Sequence, residues 1–85
     1  MVEQDKGKTQ TFTVKEDRET EIRRILTTVY EALLEKGYDP ISQLVGYIIS
    51  EDPTYITNNN NARGIIRKLD RDELMRVLIT NYLKI

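Results

Sequence analysis

The chain contains no cysteine and no histidine among its 85 residues. That removes disulfides, thiolate nucleophiles, Cys or His zinc sites and every His-based triad. A lack of cysteine also suits a cytoplasmic protein. Charge of one sign is missing too. Thirteen bases face fourteen acids, a formal net charge of −1, so the whole molecule exerts no pull toward nucleic acid or an acidic membrane. Long apolar runs are absent, since the longest uncharged apolar stretch, LVGYII at 44–49, is far too short to span a bilayer. The opening MVEQDKGK carries acids and lacks the apolar centre of a signal peptide. The four glycines, Gly7, Gly37, Gly46 and Gly64, are scattered and build no phosphate-cradling loop. Ser42 and Ser50 have no histidine to activate them, and no calcium-binding loop is present. No catalytic residue, metal or cofactor is therefore expected, and the chain reads as one small, soluble domain with a modest core.

What is present is helical patterning. Residues 1–17 hold little that can be buried beyond Phe12 and Val14 and read as a flexible N-terminal arm, with TQTFTV at best a marginal strand. From residue 18 a helical domain follows, to residue 85. Ile22, Ile25, Leu26, Val29 and Leu33 recur at helical spacing, widened by Tyr30 and Leu34. Asp17 suits the N-cap of this helix and Gly37 its C-terminal stop. Asp39–Pro40 opens a second helix, whose stripe is Ile41, Leu44, Val45, Ile48 and Ile49; Asp52–Pro53 closes it. Tyr55 and Ile56 then tuck against the core. Asn58 to Asn61 form a loop whose last members cap a third helix carrying Ala62, Ile65, Ile66 and Leu69. Asp70 and Glu73 form an Asp-x-x-Glu start, close to a capping box, for a fourth helix through Leu74, Leu78 and Leu83.

The fold class is all-α: a compact bundle of four main short helices, with room for a fifth short turn, behind the arm. Apolar residues cover about half the circumference of the first and last helices, more than so short a domain buries alone. A homodimer is the economical remedy.

Arg63, Arg67 and Arg71 are spaced i, i+4, i+8, with Lys68 beside them. On spacing alone they form either a solvated face balancing Asp70, Asp72 and Glu73, or an anion-binding strip for a phosphate or an acidic partner. If Asp70 caps a new helix, Arg71 belongs to that helix and the strip bends. A small helical DNA-binding regulator is the alternative use of Asn60, Asn61, Arg63 and Arg67, and the near-zero net charge speaks against it.

The blocks EKGYDPISQLVGYIISEDPTYI and NARGIIRKLDRDEL together resemble the IreB/ReoM family of small regulatory phosphoproteins of Gram-positive bacteria. The resemblance runs over about residues 29–83. It implies a non-enzymatic regulator: a cytoplasmic helical homodimer whose arm is phosphorylated on threonine by a PASTA-type Ser/Thr kinase and dephosphorylated by a cognate phosphatase. It further implies control of Clp-dependent turnover of a peptidoglycan-precursor enzyme, and through it of cell-wall synthesis and cephalosporin tolerance. The family's arm motif falls on Thr9, Phe12, Val14 and Asp17, making Thr9 the matching phosphoacceptor, with Thr11 and Thr13 as further candidates. Its basic surface falls on Arg63, Arg67 and Arg71. The chain departs from the family at Glu51, where glycine is usual, and at Thr57, Asn58 and Asn59, where Pro, Arg and His are usual.

Overall fold

The computed structural model describes the backbone of residues 7–85 and the side chains of residues 18–85. The arm's first six residues and the side chains of Thr9, Thr11 and Thr13 lie outside it, and with them the phosphoacceptor assignment. Four helices, α1 (Gly7–Glu35), α2 (Pro40–Ser50), α3 (Ala62–Ile66) and α4 (Arg71–Leu83), are joined through two 3₁₀ turns, Pro53–Tyr55 and Asn59–Asn61, and the described residues include no strand. The chain is all-helical, as its patterning predicts. The backbone of α1 begins at Gly7, so Asp17 sits within the helix rather than at its N-cap.

Ile22, Ile25, Val29 and Leu33 form the buried face of α1, and Ala32 is buried with them. The helix ends in a Schellman motif. Tyr38 N–H donates to Leu33 O at 3.0 Å and Gly37 N–H to Leu34 O at 3.0 Å. The motif needs a left-handed residue at Gly37, and its φ is +86°. Asp39 then caps α2 from an extended backbone, accepting from Ser42 N–H at 3.4 Å and Ser42 O–H at 3.0 Å, with Pro40 in the first turn.

On α2 the expected stripe divides. Leu44 and Ile48 are partly covered while Ile41, Val45 and Ile49 face outward, and the helix buries Tyr47 instead, a residue outside that stripe. Ile56 is fully buried; Tyr55 is not, and its ring lies against Gly46. A Cβ added at Gly46 would stand 2.4 Å from Tyr55 Cε1, so only glycine admits the ring there. Ile25, Val29, Ala32, Leu33, Tyr47, Ile56, Ala62 and Ile66 close into one core between α1, α2 and α3. The fourth helix is attached more lightly, with Leu74 as its one fully buried residue.

The asparagine tract does something other than cap α3. Asn60 and Asn61 adopt left-handed backbones, φ 53° and 60°, and Asn61 makes no side-chain capping bond. Asparagine tolerates that region better than most residues. Asn59 Nδ2 donates to Ala32 O at 3.2 Å and to Glu35 Oε1 at 2.8 Å, and Asn60 Nδ2 reaches the same oxygen at 3.2 Å. The tract thus supplies a donor to one carbonyl in the last turn of α1 and to the Glu35 carboxylate. Nor does the capping box at Asp70 form. Asp70 makes no side-chain cap, and Glu73 is drawn away by Arg18 on α1, 2.6 Å from its carboxylate.

Candidate functional site

The third helix is only five residues long and stops at Ile66. Arg67 stands at its C-cap, and Asp70, extended at φ −80°, ψ 122°, starts α4. The i, i+8 relation of Arg63 to Arg71 therefore crosses a break between two helices, and the arginines have three different surroundings. Arg63 is half-buried, and its Nε donates to the carbonyl of Ile56 at 2.9 Å, pinning the loop before the asparagines. Arg71 turns toward α2: one terminal nitrogen donates to Ile48 O, and the other pairs with the Glu51 carboxylate. Arg67 is exposed, as is its neighbour Lys68, and neither is ion-paired among the described residues.

The freely available positive charge of the site is thus Arg67 and Lys68, at the junction where α3 turns into α4. A guanidinium held by no acid retains all its donors for a planar anion. Arg71 is already occupied as a clasp between the end of α2 and the start of α4. Two acids in the first turn of α4 are also engaged. Asp72 pairs with Arg76 one turn on, at 2.9 Å, and the hydrogen bond to Asp72 holds the Arg76 proton more firmly than usual. Glu73 does the same for Arg18. Asp70, three residues beyond Arg67, makes no side-chain cap bond and is in no ion pair among the described residues.

Glu51, singled out in the sequence as a departure from the family's glycine, ends α2 in the left-handed region at φ 62°, its N–H donating to Tyr47 O at 2.7 Å. The backbone position favours glycine, and the residue standing there offsets the strain with its Arg71 pair. Sequence spacing gave no sign of this clasp, because its partners lie twenty residues apart. Among the described residues no cluster of acids could hold a metal ion, and no helix is long and apolar enough to cross a membrane.

A family model described as IreB regulatory phosphoprotein matches residues 7–84. The chain is also similar to a UPF0297 protein of Ruminiclostridium cellulolyticum, 53% identical over 78 residues, spanning 92% of this chain and 89% of that relative.

Proposed function

Because this chain belongs to the IreB family of regulatory phosphoproteins, we propose that it is a non-enzymatic cytoplasmic regulator switched by threonine phosphorylation at Thr9. A PASTA-type Ser/Thr kinase adds the phosphate and a cognate phosphatase removes it. The output is the Clp-dependent turnover of an enzyme that makes peptidoglycan precursor, and so cell-wall synthesis and cephalosporin tolerance. The family match carries this reading, since it spans the Thr9 motif as well as the helical domain.

The geometry supplies a mechanism. Phosphate adds about −1.5 to −2 charge near pH 7. The open cations at the α3–α4 junction, Arg67 and Lys68, are its receptor, either for the arm itself or for an acidic client that the arm displaces. One charge-assisted contact of this kind is worth about 1–3 kcal/mol, roughly a five- to hundredfold change in partner affinity. The exposed apolar residues of α4, among them Ile79, Tyr82 and Leu83, are the surface for a second copy. A groove beside them, between Ile22 and Leu26 of α1 and Val77 and Leu78 of α4, extends that surface onto α1.

The test is incubation with a PASTA-type kinase domain and ATP, followed by site-resolved mass spectrometry of wild type and Thr9→Ala. Phosphate on Thr9, lost in the variant, is the expected result. Phosphate on Thr11 or Thr13 alone moves the switch, and no phosphate refutes it. In cells, Arg67→Ala should uncouple phosphorylation from client turnover while the helical content stays unchanged.

A further inference from the structure

The outward face of α2 is used by nothing described above. This helix holds no charged residue over its eleven positions. Ile41, Val45 and Ile49, spaced i, i+4, i+8 on one side, are 59%, 47% and 77% exposed, and Tyr38 continues the line beyond the helix start. Branched apolar side chains exposed in a row along one side of a helix mark a contact surface rather than chance exposure.

Charge identifies what the surface takes. Although the whole chain is nearly neutral, its charges are segregated. Residues 31–55 hold five acids, Glu31, Glu35, Asp39, Glu51 and Asp52, against Lys36 alone, whereas residues 56–85 hold six bases against three acids. Asp39 and Asp52 stand at the two ends of the stripe. Asp39 is hydrogen-bonded to Ser42, and Asp52 to Thr54 N–H at 3.0 Å and Thr54 O–H at 2.7 Å. Neither is ion-paired among the described residues. Both carboxylates are thus held in a fixed place by these hydrogen bonds, with Arg63 near enough to act on Asp52.

A second copy of the chain is poorly suited to this face. Laid antiparallel on a two-fold axis, Asp39 of one copy meets Asp52 of the other; laid parallel, like residues meet like. Both arrangements set acid against acid, which acts as a filter against self-pairing. The α4 surface has no such frame.

We propose that the Ile41–Val45–Ile49 face of α2 is a docking site for a basic-flanked amphipathic helix of another protein. The partner lays an apolar stripe along α2, and Lys or Arg at each end of that stripe pairs with Asp39 and Asp52. Thirteen residues at 1.5 Å each separate the two acids by about 20 Å, so the partner's bases should be three to four turns apart. This surface is independent of the phosphorylated arm and of the cations at the α3–α4 junction.

The probe is a synthetic helical peptide of about 16 residues with leucines on one face and paired lysines at both ends. A matched peptide carries paired glutamates instead. Titrated into full-length protein and followed by amide NMR and anisotropy, the lysine peptide should bind at least about tenfold more tightly, with an advantage that shrinks as salt rises. Shifts should centre on Ile41, Val45 and Ile49. Ile49→Lys, at a position exposed enough to leave the fold intact, should weaken lysine-peptide binding by about tenfold or more without changing the far-UV circular dichroism. Sedimentation equilibrium should give the same oligomeric state for wild type and Ile49→Lys. Equal affinity for both peptides, no binding, or shifts centred on α4 would overturn the proposal. A lower oligomeric state in Ile49→Lys would also overturn it, by assigning the face to a second copy.

Discussion

Glu51 closes α2 with φ 62°, in a region where a side chain crowds the following carbonyl. The same residue pairs with Arg71. Two substitutions separate these effects. Glu51→Ala removes the ion pair and keeps the strained backbone. The pair is largely exposed on the Glu51 side, so its loss should lower stability by only about 0–1 kcal/mol. Glu51→Gly removes the pair and also the strain. Relief at a left-handed position is worth about 1–2 kcal/mol, and the greater freedom of glycine in the unfolded chain takes back about 0.4–1 kcal/mol. The glycine variant should therefore exceed the alanine variant by up to about 1.6 kcal/mol, about 0.8 kcal/mol at the centre of both ranges, whatever the ion pair contributes. Urea unfolding at neutral pH, followed by circular dichroism, measures this as a difference in midpoint at constant slope. Repeating both substitutions on Arg71→Ala should leave the difference unchanged, because the ion pair is absent from both. If Glu51→Gly is no more stable than Glu51→Ala, the left-handed end of α2 is not what limits this position, and the reasoning fails.

Other substitutions test other joints. Asn59→Ala removes the donors to Ala32 O and Glu35, and a loss of about 1–2 kcal/mol in urea unfolding is expected. Gly46→Ala drives a Cβ into the Tyr55 ring and should destabilise wild type by up to about 2 kcal/mol after the helix-propensity gain of alanine is set against the clash. On Tyr55→Ala the sign should reverse, to a gain of about 1 kcal/mol. The hydrogen bonds from the Thr54 hydroxyl and then the Thr54 amide hold the Asp52 carboxyl below the ordinary range. A depressed folded value means the cap contributes fully above the ordinary Asp value of about 3.9 and is lost as pH falls through the folded value. Asp52→Asn should accordingly flatten the acid limb of the stability curve, and the carboxyl carbon of Asp52 should titrate below that of a model peptide.

Local chemistry was the most legible part of the sequence. Gly37, Asp39 and Pro40 each act within a few residues of themselves, and each does in the structure what its type implies. The buried face of α1 was legible too, because charged residues on its other sides mark where water lies. The second helix carries no charges to mark its outside, so periodicity chose Ile41 and Ile49 for the core where the fold buries Tyr47. Long-range partners were beyond reach for a different reason. Glu73 is in register for a capping box, but Arg18 lies 55 residues away in sequence and takes it. The capping preference of asparagine points to the start of α3, while tertiary placement uses Asn59, Asn60 and Asn61 for left-handed backbone and for the end of α1.

The same distinction decides how the three arginines divide their work. To offer Arg71 to an anion, the chain must release Ile48 O and Glu51 together, and a carbonyl at the end of α2 then loses its donor at a penalty of about 1–3 kcal/mol if it stays covered. Arg63 is bound to the Ile56 carbonyl through Nε alone, so its terminal nitrogens remain usable without disturbing the loop. Arg67 gives up nothing. An anion arriving at this end of the molecule therefore meets a graded series: Arg67 first, Arg63 with its outer nitrogens, and Arg71 only where the ligand binds strongly enough to open the clasp. Arg67→Ala should weaken anion or client binding with no change in the urea midpoint. Arg71→Ala should lower stability by about 1–2 kcal/mol, read as a lower urea midpoint, and weaken binding less than Arg67→Ala does. If Arg71→Ala weakens binding more while leaving stability untouched, the three arginines act as one open strip after all, and the clasp has no hold on the fold.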